Sequence, residues 1–142
     1  MERLEVFDLP VSLRIRRSSS AVFSAWIEPA IAEQWLCDRM EGRWHAGEKV
    51  IWIFGGIRQE IRVQEVEIGK RLNFRWNSHI ERAETAVTIE CVELNGEVRL
   101  SLLESNWELS AENVRLALDQ ACGWENVFCR LKAWIESGIK LR

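Results

Sequence analysis

The sequence predicts an α+β fold in which a curved antiparallel β-sheet wraps around a long C-terminal α-helix, with two short helices after the first strand. Two observations carry this prediction. Apolar and polar residues alternate with period two over most of the chain up to Ser105, and apolar residues recur at steps of three and four over the last third. A meander of strands has one apolar face to cover and an amphipathic helix has one apolar stripe to bury, so we expect them to pack together.

The long helix is predicted from about Ser110 to Gly138. Ser110 is a good N-cap residue, and Gly138 followed by Lys140 is a typical helix end. Gly123 costs about 1 kcal/mol relative to alanine inside a helix, so it predicts a kink or a close approach to another element. The apolar stripe comprises Val114, Ala117, Leu118, Ala121, Trp124, Val127, Phe128, Leu131, Trp134 and Ile135.

The opening segment predicts one strand and two short helices. Val11, Leu13 and Ile15 alternate with polar residues, as in a strand with one buried face. The serines at 18–20 offer caps for a first short helix, and Pro29 suits the first turn of a second. No crossover to a parallel neighbour follows, which favours an antiparallel sheet.

About six antiparallel strands are predicted between the short helices and the long one. Leu72, Phe74 and Trp76 alternate with polar residues and give the clearest strand. Gly55-Gly56 and Asn95-Gly96 are both signals for tight hairpins. The sheet should therefore be a meander of neighbouring strands.

Length and charge limit the classes of function. The 142 residues are most simply one domain spanning 1–142, with enough chain for a substantial core. A net charge of −3 argues against nucleic acid as a partner. The chain has no run of about 18 apolar residues and no apolar signal segment at its start, so we expect a cytoplasmic protein without a membrane partner.

The cysteine pattern predicts no metal site. The four cysteines show no CxxC or zinc-type spacing. Cys122 and Cys129 lie near the apolar stripe of the long helix, so reduced and partly buried thiols are expected instead. Only His45 and His79 could join them as ligands, and neither has a helical HxxxH partner. We predict neither a metal nor a cofactor.

Several motifs resemble those of one known superfamily. Residues 22–26 (VFSAW), followed by Pro29 and by residues 34–36 (QWL), resemble the opening of the SRPBCC superfamily. Gly123-Trp124, followed on the same helix by further apolar residues, resembles the branch named after the activator of the heat-shock-protein-90 ATPase. The hairpin at 93–100 fits the last two strands of that branch. One departure is the segment 41–44 (EGRW), where the family often has a GG-F pattern.

This resemblance implies a helix-grip fold with a cavity between the sheet and the long helix. Members of the superfamily bind lipids, sterols, polyketides or other apolar molecules; some are cyclases, and others regulate protein partners. Because one fold hosts many functions, the resemblance predicts the fold far better than it predicts the activity.

The inward faces of sheet and helix predict a concave, largely apolar pocket, as small-molecule sites usually are. The alternative is that the large indole rings fill this space and pack against one another as core. Eight tryptophans without a tyrosine are compatible with both arrangements. The predicted ligand-binding residues are Trp52, Phe54, Phe74, Trp76, Ile89, Leu100, Trp124 and Phe128.

The polar residues of the strands predict no catalytic site. Alternation places Arg58, Glu60 and Arg71 on the outer, solvated face, where they should form cross-strand charge pairs. His79 lies near a strand end, where a bulge would turn it inward, and Asp38 is expected at the rim of the cavity. No nucleophile arrangement and no phosphate-binding glycine loop are present.

The sequence favours a binding protein for a small hydrophobic or aromatic molecule. One alternative is an enzyme of the cyclase or dehydratase kind, which requires an acid or base in the cavity; we assign none there from the sequence. The other is a protein-interaction module or chaperone-related regulator, which predicts a filled core and an exposed apolar patch. Trp44 and Trp107 have the least determined places in the pattern. A monomer and a homodimer are both compatible with the sequence.

Overall fold

The computed structural model describes residues 5–78 and 84–141. Seven strands and three helices follow one another in the predicted order, and the α+β class is confirmed. Among the helices described, none is long and apolar enough to cross a bilayer. The elements are β1 (Val6–Ile15), α1 (Ser19–Ile27), α2 (Pro29–Trp35), β2 (Arg39–Gly42), β3 (Lys49–Phe54), β4 (Ile57–Glu67), β5 (Arg71–Trp76), β6 (Thr85–Leu94), β7 (Glu97–Glu108) and α3 (Ala111–Ser137).

The strands form one antiparallel sheet in the order β1-β7-β6-β5-β4-β3-β2. Strands β2 to β7 are a simple meander. The last strand, β7, also pairs with the first strand, β1, so that Val11 lies opposite Leu102. The β6–β7 turn is the predicted hairpin, with Asn95 at φ 42° and Gly96 at φ 86°. One face of this sheet is covered by the helices and the other carries the charged side chains.

Strand β2 is the element that the alternation pattern did not locate individually. It is only four residues long and pairs with β3, so that Met40 lies opposite Trp52. It ends at Gly42, where φ is +87° and an added Cβ would overlap the carbonyl oxygen of Lys49. A glycine is therefore required at this position, within the segment that departs from the family pattern.

Large aromatic side chains fill the interior beneath the two short helices. The rings of Trp26 and Trp35 meet edge to face with centroids 4.8 Å apart, and Phe128 of α3 lies 6.0 Å from Trp26. The indole Nε1 of Trp35 donates to the carbonyl oxygen of Ala25 at 2.9 Å. This end of the sheet–helix interface is a closely packed core.

Helix α3 has the predicted ends, but its first turns are rotated relative to the predicted stripe. Val114 and Leu118 are 37% and 63% exposed, while Asn113 and Ala117 are buried. The side-chain amide of Asn113 donates to the carbonyl oxygen of Glu108, the last residue of β7, at 2.8 Å, so that this face of the helix is tied to the sheet. Placing Val114 and Leu118 in the buried stripe was therefore wrong.

The C-terminal part of α3 is held to the end of β1 through Glu136. Its Oε2 accepts from the backbone nitrogen of Arg16 at 2.8 Å and from Nζ of Lys132 at 2.8 Å. Burial raises the pKa of Glu136, but the hydrogen bonds from Lys132 and Arg16 outweigh burial and lower it below its ordinary value. These contacts join the last helix to the first strand.

The contacts of Glu136 predict a pH-dependent stability. Because the folded-state pKa is lowered from 4.5, the contribution of Glu136 is present above about pH 4.5 and is lost as the pH falls through the folded-state value. The difference in free energy of unfolding between wild type and Glu136→Gln should be largest near pH 7 and shrink as the pH falls through the folded-state pKa, as measured in urea titrations. Glu125→Gln, on an exposed face of α3, is the control. A difference that stays constant over this range would contradict the prediction.

Candidate functional site

A carboxylate lies inside the protein between the sheet and α3. Along β7, the side chains of Val98, Leu100, Leu102 and Glu104 all face inward, and Glu104 is 0% exposed. A buried carboxylate is strongly unfavourable unless its oxygens are hydrogen-bonded. The position of Glu104 therefore depends on what surrounds it.

Four donors surround the two oxygens of Glu104. Oε2 accepts from Nε1 of Trp76 at 3.1 Å and from Oγ1 of Thr85 at 2.6 Å. Oε1 accepts from Nε1 of Trp124 at 2.8 Å and from Nε2 of Gln120 at 3.4 Å. An indole N–H can only donate, and a carboxylate offers enough acceptor sites for all four partners. Glu104 thus links β5, β6, β7 and α3.

The two indoles bound to Glu104 belong to a row of aromatic rings. The ring centroids of Trp76 and Trp124 are 5.3 Å apart, and those of Trp76 and Trp52 are 6.1 Å apart. Trp44, in the connection after β2, continues the row at 6.3 Å from Trp52. Tilted and edge-to-face pairs at these distances are favourable aromatic contacts. Glu104 therefore fixes one end of a tryptophan wall.

A cleft of about 360 Å³ opens to solvent beside this wall, between the β3–β4 hairpin and α3. We call it the tryptophan cleft. Most of its lining is apolar, with amides and one guanidinium among the remainder. The lining residues are Leu36, Trp52, Phe54, Ile57, Gln59, Trp76, Gln120, Gly123, Trp124, Asn126, Val127 and Arg130.

Comparison with models of protein families assigns the chain to one family. The family model described as activator of Hsp90 ATPase homolog 1-like protein matches residues 16–136. The chain belongs to this family. The resemblance to the SRPBCC superfamily and its Hsp90-activator branch is thereby confirmed. No curated protein matches the chain.

Solved structures share the fold at low sequence identity. A protein of Staphylococcus saprophyticus is 19% identical, with a TM-score of 0.82 and 96% of each chain covered. The Aha1 dimer from Colwellia psychrerythraea is 14% identical at a TM-score of 0.82, covering 93% of this chain and 98% of that one. CalU16 from Micromonospora echinospora is 17% identical at a TM-score of 0.77, covering 94% and 77%. These likenesses confirm the helix-grip fold.

The predicted ligand-binding residues divide into two groups. One group lines the tryptophan cleft, and it consists of Trp52, Phe54, Trp76 and Trp124. The other group lies in the core, at most 2% exposed, and is not part of the cleft lining; it consists of Phe74, Ile89, Leu100 and Phe128. The family fold brings all eight to the inner face, but the cleft reaches only those near α3 and the β3–β4 hairpin.

Gly123 is at the cleft and not at a close contact. Within the described residues, a Cβ added at Gly123 would meet no atom of another element within 4 Å. The helix continues through it from Ala111 to Ser137. Of the two alternatives for Gly123, a kink or a close approach, the close approach was therefore wrong. The glycine leaves space in the cleft wall.

The polar groups at the site were missed from the sequence: Glu104 behind the tryptophan wall, and Gln59, Gln120, Asn126 and Arg130 in the cleft lining. The sequence predicts that Leu100 and Leu102 face inward. The same alternation, continued by two residues along β7, also places Glu104 inward. Gln120 lies four residues before Trp124, on the same side of the helix. The alternation was therefore sufficient to find Glu104, although a charged residue at an inward position is uncommon.

The charged residues of the outer sheet face form the expected surface pairs. Arg58 lies 3.0 Å from Glu41, and Arg71 lies 3.3 Å from Glu65. All four side chains are substantially exposed, so these pairs contribute little to stability. They take no part in the tryptophan cleft.

Asp38 and His79 are the two remaining polar residues that the sequence placed near the cavity. Oδ2 of Asp38 accepts from the backbone nitrogen of Gly55 at 2.5 Å and so supports the hairpin that borders the cleft. Asp38 is therefore near the rim, as expected, with a structural contact. His79 lies outside the described residues, and the prediction about it is untested.

Trp44 and Trp107, whose places were undetermined, both make aromatic contacts. Trp44 is half-buried against Trp52 and Phe74. Trp107 is buried and stacks on Phe7, with centroids 6.1 Å apart. Both indoles therefore belong to the packed interior or its border.

The cysteines show no metal-binding arrangement. Over residues 5–78 and 84–141, no three histidine, cysteine or acidic side chains are grouped as ligands. Cys37 and Cys91 are buried, and burial raises the pKa of the Cys91 thiol to about 12. Cys122 and Cys129 are exposed, so the expectation that they are partly buried was wrong. Both lie on the face of α3 that is turned away from the sheet.

The four donors around Glu104 predict that a conservative substitution of this residue strongly destabilises the fold. Glu104→Gln replaces one acceptor oxygen by an NH₂ group facing donors, so we expect the free energy of unfolding to fall by about 2–4 kcal/mol in urea titrations. Glu90→Gln, which removes a half-exposed carboxylate from β6, should cost less than about 1 kcal/mol. Equal effects of the two substitutions would show that the buried network does not stabilise the fold.

Proposed function

We propose that the protein binds a small apolar or aromatic molecule in the tryptophan cleft. The observation that supports this most directly is an apolar cleft of about 360 Å³ beside a wall of indole rings. This volume lies within the range of small-molecule sites, which are typically concave, apolar and lined by a few polar groups. The helix-grip fold, which the chain shares with solved structures, is compatible with this function.

Exposed apolar groups at the cleft entrance support the same proposal. Ile57, at the start of β4, lines the cleft and is 68% exposed. Phe54, across the hairpin, lines it and is only half-buried. A ligand in the cleft would remove part of this apolar surface from water, at about 25 cal/mol per Å².

An enzyme of the cyclase or dehydratase kind is the second candidate, because Glu104 is an ionisable residue that faces inward. Two features favour binding over catalysis. Glu104 is not among the residues that line the cleft, and each of its oxygens already accepts two hydrogen bonds. A general base needs an oxygen within hydrogen-bond reach of the substrate.

A regulatory module that binds a protein is the third candidate. Leu109, Val114 and Leu118 are 53%, 37% and 63% exposed around the start of α3. An exposed apolar patch is what this hypothesis predicts, but an open cleft is not.

A solved neighbour is described as a dimer, and both monomer and homodimer remain compatible with this chain. The cytoplasmic location and the absence of a cofactor stay predictions.

Filling the cleft from Gly123 tests the proposal. We expect neutral naphthalene derivatives to give saturation-transfer NMR signals with the wild-type protein. Gly123→Phe should weaken their binding at least about tenfold, because its ring would occupy the cleft, and should leave the fold intact because a Cβ there meets no other element.

Glu125→Phe, which places the same ring on the exposed face of α3, is the matched control and should bind like wild type. Unchanged binding by Gly123→Phe would place the ligand elsewhere. A wild-type protein that binds no member of the panel would contradict the proposed function.

A further inference from the structure

Four polar groups line the tryptophan cleft, and hydrogen bonds orient two of them. Three are side-chain amides, Gln59, Gln120 and Asn126, and the fourth is the guanidinium of Arg130. Asn126 is exposed at the surface of α3, whereas the two glutamines are half-buried. The chemical character of the inner part of the cleft therefore depends on which end of each glutamine amide faces a ligand.

The amide of Gln120 is oriented by Glu104. A carboxylate oxygen attracts a donor, so the NH₂ group of Gln120 faces Oε1 of Glu104, at 3.4 Å. The carbonyl oxygen of the amide then points away from Glu104. Within the described residues this oxygen accepts no hydrogen bond, so an acceptor remains on the cleft lining.

The amide of Gln59 is oriented in the same sense by the backbone. Its Nε2 donates to the carbonyl oxygens of Glu60 and Asn77, at 3.2 and 3.3 Å. Two carbonyl oxygens can be satisfied only by the NH₂ end of the amide. The Oε1 atom of Gln59 is therefore also turned away from its protein partners, and no described residue donates to it.

The buried charge of Glu104, behind the tryptophan wall, also favours a ligand that carries a hydrogen-bond donor. Glu104 is fully buried, and its carboxylate lies directly behind Gln120, Trp76 and Trp124. Inside a protein, a charge is screened much less than at the surface. The negative potential favours the positive end of a ligand dipole and disfavours an anion.

Arg130 is the feature that argues for an anionic ligand. It is half-buried and lines the cleft together with Asn126, one helical turn away. Because it is partly exposed, its field is weakened by water and salt more than that of Glu104. In the inner part of the cleft, the two glutamine oxygens are the groups that would meet a ligand, and they accept a hydrogen-bond donor.

We propose that the tryptophan cleft selects aromatic ligands that carry a hydrogen-bond donor, such as a phenolic hydroxyl or an aromatic amine, which the oxygens of Gln59 and Gln120 accept. This inference rests on the binding function proposed above and specifies its ligand class. It follows from the orientation of two amides and the burial of Glu104.

Three naphthalenes of matched shape test the selection: 2-naphthol, 2-methoxynaphthalene and 2-naphthoate. Their dissociation constants for the wild-type protein are measured by isothermal titration calorimetry at neutral pH. We expect 2-naphthol to bind about tenfold more tightly than its methyl ether, as for one hydrogen bond of about 1.4 kcal/mol, and 2-naphthoate to bind most weakly.

Gln120→Leu and Gln59→Leu should each reduce the preference for 2-naphthol over 2-methoxynaphthalene, measured as the ratio of the two dissociation constants. Gln34→Leu, at an exposed position of α2 outside the cleft, should change neither constant. The three dissociation constants of the wild-type protein test the donor selection even if one variant folds poorly.

Equal binding of the three compounds, or tightest binding of 2-naphthoate, would overturn the donor selection and leave the binding function standing. A preference for 2-naphthol that persists in both glutamine variants would also overturn it, because the donor would then be accepted elsewhere. Absence of binding by all three would overturn the binding function and this inference together.

Discussion

The carboxylate of Glu104 between the indoles of Trp76 and Trp124 is the contact on which the arrangement of the site depends. It joins three neighbouring strands to the long helix through hydrogen bonds from Trp76, Thr85, Gln120 and Trp124. Because an unpaired buried carboxylate is so unfavourable, these partners must stay in place when the protein is folded. An apolar side chain at the same position would impose no such geometry on the indoles.

This contact divides the space between sheet and helix into two parts of different character. Under the short helices, Trp26, Trp35 and Phe128 pack as core. On the other side, Trp76 and Trp124 are held by their nitrogen atoms, so that the wall is fixed while the neighbouring space stays open as a cleft. The two alternatives posed by the many tryptophans, filled core or open pocket, are both present, at different ends of one interface.

Much of the fold follows from local signals. Ser110 and Gly138 bound the long helix because capping is a local interaction, and period-two alternation assigns the faces of the longer strands. Strand β2 is too short to show a period. The rotation of the first turns of α3 accompanies a hydrogen bond from the side chain of Asn113 to the carbonyl oxygen of Glu108, which the spacing of apolar residues does not indicate.

The site was only partly predictable, because its residues come from separate elements. Alternation places Phe74 and Trp76 on one face, yet only Trp76 lines the cleft. The ring of Phe74 packs against the rings of Trp44, Trp52 and Trp76 instead. Glu104 continues the inward alternation of β7 and was within reach of the sequence, but no spacing in the chain indicates that its donors from β5, β6 and α3 meet.

The most direct test of this account is a ¹H–¹⁵N spectrum of the indole groups, with the eight tryptophans labelled and assigned by substitution. Indole N–H groups that donate to a buried carboxylate should resonate downfield and exchange slowly with solvent. The account predicts both properties for Trp76 and Trp124, and their loss in Glu104→Gln. Rapid exchange of these two protons in the wild-type protein would contradict it.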